Sequence, residues 1–170
     1  DHFTGLGYAC STAPEGDYTA ALICVPRARA EARALVATAC AHLPPGALVI
    51  LDGQKTDGVD ALYKELRALG PISEALSKAH GKLAVFPALS GLADWADRGA
   101  DVDGFRTVAG VFSADGVDRG SALLVAHLPT EMKGRVADLG AGWGYLARAV
   151  LARRPLGVTV RSIGPKPSCW

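Results

Sequence analysis

Asp138, Gly140, Gly142 and Gly144 stand at alternate positions in the stretch "VADLGAGWGYLARAVL", Val136 to Leu151. Glycines turn tightly and let backbone N–H groups come close to a ligand. The carboxylate two residues before the first glycine can accept a hydrogen bond from an ammonium group, directly or through water. A dinucleotide fingerprint, Gly-x-Gly-x-x-Gly, would place its third glycine at 145, where this chain has Tyr145. A nicotinamide ligand is disfavoured on that ground.

An acid beside bared amides suits a ligand with a zwitterionic end and a second cation. S-adenosyl-L-methionine, with its amino-acid end and its sulfonium, has both. The expected cofactor-binding set is therefore Asp138, Gly140, Ala141, Gly142, Trp143, Gly144 and Tyr145, the two aromatics as walls. The competing reading is a plain strand-to-helix turn. Other candidates carry less chemistry. "GQKT", Gly53–Thr56, has the wrong spacing for a phosphate loop. His80 has no nearby carboxylate to make it a base, so a loop histidine is the better reading. Arg27, Arg29, Arg33, Lys78, His80 and Lys82 could form an RNA-facing patch, or simply a solvated surface. No cysteine or histidine grouping has metal-ligand spacing, so no metal is expected. Cys24 and Cys40 read as small buried hydrophobes, and cysteine usage suggests a reducing cytoplasm.

The elements that must carry the loop alternate. "AALICV", Ala20–Val25, is a continuous apolar run of the kind that forms a strand buried on both faces. Ala28, Ala32, Leu35, Val36, Ala39 and Leu43 fall at helical spacing. "ALVILD", Ala47–Asp52, is a second strand, followed by a turn over Gly53–Gly58. Val59, Leu62, Tyr63, Leu66 and Leu69 predict a second helix, closed by Gly70-Pro71. "KLAVF", Lys82–Phe86, is a third strand. This rhythm predicts a parallel α/β sheet of Rossmann-like type. It is interrupted after residue 87 and restarts with a helix near Ser121–Leu128, a strand over Arg135–Gly140, a helix from Gly144 and a strand over Val158–Arg161.

The 170 residues are 49% hydrophobic and 21% charged, with a formal net charge of +1. That balance supports a buried core and excludes a global electrostatic pull toward nucleic acid or membrane. No apolar run reaches the length of a membrane span.

"VFSADGVDRGSALLVAHLP", Val111–Pro129, followed by "GRVADLGAGWGYLARAVLAR", Gly134–Arg153, resembles the class I S-adenosylmethionine-dependent methyltransferases. The resemblance is closest to the "methyltransferase small" group, which includes the ribosomal RNA guanine methyltransferases of the small subunit. Upstream, "ALICVPRARAEA", "LDGQKTDGVDAL" and "SKAHGKLAVFP" resemble the N-terminal domain of that group, a degenerate copy of the catalytic fold without a cofactor loop. The resemblance implies a degenerate methyltransferase-like domain over residues 1–90, a linker over 91–110, and the start of a cofactor-binding domain over 111–170. It adds Phe112 and Asp115 to the expected cofactor pocket. It implies RNA, in particular a guanine amino group of ribosomal RNA, as substrate of the intact enzyme. The group's acidic strand end and its Asn-Pro-Pro-Phe segment, where catalytic groups are expected, are not found before Trp170. The chain thus looks like the front half of an enzyme, expected to be inactive by itself, with a homodimer through the incomplete domain as a further expectation. The alternative is a non-catalytic module for RNA binding or self-association.

Overall fold

The computed structural model describes residues 2–11, 13–153 and 158–163. The chain forms two compact units, one of residues 14–98 and one of residues 1–13 with 99–170.

After a four-residue helix α1, His2–Gly5, the first strand is β1, Ala20–Cys24. It leads into α2, Arg29–Ala41, β2, Leu48–Gln54, and α3, Val59–Leu69. Two more strands follow, β3, Leu76–Lys78, and β4, Gly81–Pro87. The sheet order is β1-β2-β4-β3. β1 and β2 are parallel, with Ile23 opposite Leu51. The third expected strand departs from the all-parallel reading: β4 runs antiparallel to β2. The cause is a short hairpin. The chain leaves α3, forms β3 at the sheet edge, and reverses through Ala79 and His80, both at positive φ (49° and 61°). Left-handed residues at both central positions match the twist of a two-residue hairpin. Asn-Gly is the usual sign of this turn, and Ala-His does not announce it. The reversal inserts β4 between β2 and β3.

One face of this sheet makes the core. Ile23, Val49, Leu51 and Phe86 meet Val36 and Cys40 of α2 and Leu62 and Leu66 of α3. The other face leaves Leu22, Leu48, Leu76 and Leu83 exposed. β1 is therefore an edge strand buried on one face, not two. Cys24 corrects the sequence reading for the same reason: it is exposed on the open face. Cys40 is buried as expected, and burial pushes its thiol up despite a hydrogen bond to the Leu89 backbone.

In this unit the end of β1 packs closely against β2 and the start of α3. The Val25 N–H donates to the Asp52 carbonyl at 2.7 Å. A Cβ placed on Gly53 would lie 2.7 Å from Val25 Cβ and 3.1 Å from Val59 Cβ.

In the other unit the chain runs through β5, Ala100–Val102, and β6, Phe105–Thr107, an antiparallel hairpin. The segment expected as a linker, residues 91–110, thus holds a 3-10 turn, Ala93–Trp95, and this hairpin. Then come α4, Arg119–His127, β7, Gly134–Leu139, α5, Tyr145–Ala152, and β8, Val158–Ile163. β7 and β8 are parallel, with Val136 opposite Val160. β8 reaches two residues past the expected strand end. The proline-rich end, from residue 164 onward, lies outside the described residues. Buried side chains in this unit include Val102, Thr107, Asp138, Ala147 and Val150, whereas α4 keeps Leu123 and Leu124 exposed.

Candidate functional site

The glycine loop sits where the sequence places it, between the end of β7 and the start of α5. Gly140, Gly142 and Gly144 all have positive φ (72°, 54° and 88°), a region that L side chains enter at a cost. At Gly140 and Gly142 an added Cβ would meet nothing within 4 Å. Packing against the protein therefore does not explain the missing side chains; the space above the loop is open.

That space is a cavity of about 100 Å³ lined by Phe112, Ser113, Asp118, Ser121, Gly140–Trp143, Tyr145 and Leu146. Pockets that enclose a whole drug-sized ligand start at roughly 300 Å³. This one takes one end of such a ligand. Six expected residues line it directly: Gly140, Ala141, Gly142, Trp143, Tyr145 and Phe112. Gly144 closes the turn as the residue before α5. Asp115 is exposed in the preceding turn and does not line the cavity.

Asp138 has a structural partner that sequence alone did not suggest. Gly144 precedes α5 and has no side chain to cap it. The Asp138 carboxylate does the work instead: its Oδ2 accepts from the Ala147 N–H at 3.2 Å. This satisfies one of the orphan donors at the helix start and ties strand to helix across the loop. A carboxylate has two oxygens, and this bond uses one.

Ser113, Asp118 and Ser121 line the cavity but were not singled out as ligand residues. Asp118 caps α4, its Oδ2 accepting from Ser121 N at 2.8 Å and from Ser121 Oγ at 3.1 Å. The signal was present as Asp-x-x-Ser just before a helical run, a capping pattern that reads as local structure. Ser113 holds a positive φ of 54°, uncommon for a residue with a side chain, in the turn that presents Phe112.

Of the basic residues weighed as an RNA-facing patch or a solvated surface, four pair with acidic neighbours. Arg29 and Arg33 both pair with Glu65, Arg27 with Asp57, and Lys82 with Asp60. Lys82 also lies 4.8 Å from the Tyr63 ring centre, and Arg33 5.2 Å from that of Trp95. His80 stands in the β3–β4 turn, where its carbonyl accepts from Lys55 N–H. Among the described residues no group of acidic, cysteine and histidine side chains could hold a metal ion, and no helix is long and apolar enough to cross a membrane.

Residues 103–162 match the family model of the methyltransferase small domain. The chain is 36% identical over 163 residues to a ribosomal RNA small subunit methyltransferase C of Pseudomonas paraeruginosa, covering 90% of this chain and 49% of that protein. It is 32% identical over 135 residues to the protein of the same name in Klebsiella pneumoniae, covering 76% and 40%. Among solved structures it resembles a T. thermophilus 16S rRNA N2 G1207 methyltransferase (RsmC) in complex with AdoMet and guanosine. That match has a TM-score of 0.70 and 27% identity, and covers 92% of this chain and 46% of the other. The chain spans about half the length of the curated relatives it matches.

Proposed function

We propose, on the premise that residues 103–162 belong to the methyltransferase small domain family, that the chain is part of an S-adenosyl-L-methionine-dependent methyltransferase acting on a guanine amino group of ribosomal RNA. One observation carries the reading: a glycine loop whose Gly140 and Gly142 face open space at the end of β7, in a cavity lined by Phe112, Trp143 and Tyr145. The names of the relatives support the substrate class.

The residues present fit the cofactor. Bared loop amides and the start of α5 favour the carboxylate of an amino acid. Asp138 keeps one oxygen on the Ala147 N–H, and its other oxygen is the acceptor for the ammonium group. Phe112 and Trp143 offer apolar surface at this end. Asp115 is exposed in the same turn as Phe112 and does not line the cavity. When bound, the cofactor supplies an electrophilic methyl group on a sulfonium to an attacking amino group. The protein's contribution is proximity and orientation rather than covalent help. The cavity formed by the described residues takes one end of the cofactor, so this chain by itself binds it weakly and does not turn it over.

Ligand-observed NMR tests the reading. S-adenosylhomocysteine is expected to show saturable contact with the chain, while NAD shows none. Contact with NAD instead, or with neither, overturns it.

A further inference from the structure

We infer that the β5–β6 hairpin is a positioning device that holds both walls of the cofactor cavity, with Thr107, Phe105 and Asp103 as positioning residues and Arg148 as the clasp. The inference rests on the reading of the glycine loop as a cofactor site.

The first wall is held by Thr107. This side chain is 2% exposed, and its hydroxyl donates to the Ala114 carbonyl at 2.6 Å. Ala114 follows Phe112 and Ser113 directly, so the bond fixes the turn that presents both to the cavity. A buried hydroxyl in such a bond is costly to strand.

The second wall is held by Phe105. Its ring lies 5.0 Å from that of Trp143 at an interplanar angle of 63°, an edge-to-face arrangement. Trp143 in turn lies 5.4 Å from Tyr145. An added Cβ on Gly144 would sit 3.8 Å from Phe105 Cε1. Phe105 therefore touches the loop at consecutive residues, Trp143 and Gly144.

The hairpin is itself fastened to α5. Its turn, Asp103 and Gly104, has positive φ at both positions (51° and 75°), the two-residue pattern that sets register. Strands this short are marginal alone. Arg148 supplies the fastening: it donates to the Asp103 carbonyl and carboxylate, and its guanidinium lies 4.2 Å from the Phe105 ring centre. Arg148 belongs to the helix that the loop enters, so clasp, hairpin and loop form a closed circuit.

The test compares Arg148→Gln with Arg153→Gln in the intact chain. Arg153 lies just past the end of α5 and donates to the Ala149 and Val125 carbonyls, away from the hairpin. Hydrogen exchange at residues 140–144 is read without ligand, and S-adenosylhomocysteine binding by equilibrium dialysis. Arg148→Gln is expected to speed loop exchange and weaken binding about five- to tenfold, the combined worth of an exposed ion pair and a cation–π contact. Arg148→Lys restores part of both, because an ammonium pairs with Asp103 but cannot present the fork. Thr107→Val is expected to weaken binding with loop exchange unchanged, since the Thr107 hydroxyl meets the Ala114 and Ala100 carbonyls and not the glycine loop. Arg153→Gln is expected to leave loop exchange unchanged even where it lowers stability. Unchanged loop exchange in Arg148→Gln overturns the inference. Equal acceleration in Arg148→Gln and Arg153→Gln overturns it too, because the hairpin then contributes only general stability. Faster loop exchange in Arg148→Gln alone, in a wild-type chain that binds no S-adenosylhomocysteine, supports the hairpin's role and sinks the cofactor reading.

Discussion

Asp138 separates the two functions assigned to the glycine loop. Its Oδ2 bond to the Ala147 N–H caps α5, and its charge is assigned to the ammonium group of the ligand. Asp138→Ala removes both. The lost cap costs about 1 kcal/mol. Ala147 is only 8% exposed, so its stranded N–H regains little from water and the total reaches about 1–2 kcal/mol. That is a factor of roughly 5–30 in the opening equilibrium of this unit. Asp138→Asn behaves differently. The amide oxygen can still accept from Ala147, so the stability loss is expected to stay within a few tenths of a kcal/mol. The neutral side chain, with its NH₂ turned toward the ligand's ammonium, then opposes a donor with a donor. Loss of a charged hydrogen bond of about 1.5–3 kcal/mol weakens S-adenosylhomocysteine binding roughly 10- to 150-fold. Native-state hydrogen exchange in α5 reads the first quantity and equilibrium dialysis the second. The reasoning fails if Asp138→Ala leaves α5 as protected as in the wild type, or if Asp138→Asn binds as tightly as the wild type.

Gly53→Ala is expected to destabilise the unit of residues 14–98 by about 1–3 kcal/mol through overpacking, because its Cβ would lie 2.7 Å from Val25 Cβ and 3.1 Å from Val59 Cβ; urea denaturation checks it, and an unchanged midpoint contradicts the packing described. Burial pushes the Glu65 carboxyl up, but its hydrogen bonds and charge pairing with Arg33 and Arg29 outweigh this and hold it below the ordinary glutamate range. The pair's stabilisation is therefore present above the ordinary glutamate range and lost as pH falls through the lowered value. Glu65→Gln is expected to flatten the acid side of the stability–pH curve, measured by urea midpoints across that range, and an unaltered acid limb contradicts the assignment.

The glycine loop was legible because its glycines mark a backbone demand: positive φ at residues 140, 142 and 144 leaves a trace in residue type. The helices were legible for a similar reason, since Val59, Leu62 and Leu66 all reach the core. The direction of β4 was not, because Ala79 and His80 are ordinary residues forced into left-handed conformations by strand pairing rather than by local preference. Cys24 was misread because an apolar run does not say whether its strand lies inside a sheet or at its edge. The hairpin contacts escaped notice altogether. Asp103 and Arg148 are 45 positions apart, and only the fold brings a surface aspartate, a phenylalanine and a helix arginine into one clasp. Asp118 and Ser121 show the opposite difficulty: their spacing was visible, but a capping pattern and a cavity wall look the same until the helix is placed beside the loop.

We place the amino-acid end of the proposed cofactor on the glycine loop between β7 and α5. Titrating the ¹⁵N-glycine-labelled chain with S-adenosylhomocysteine tests it most directly. The amides of Gly140, Gly142 and Gly144 should shift together and saturably, while those of Gly53 and Gly58 stay in place. Loop amides that do not move, or Gly53 and Gly58 moving in their stead, would contradict the account.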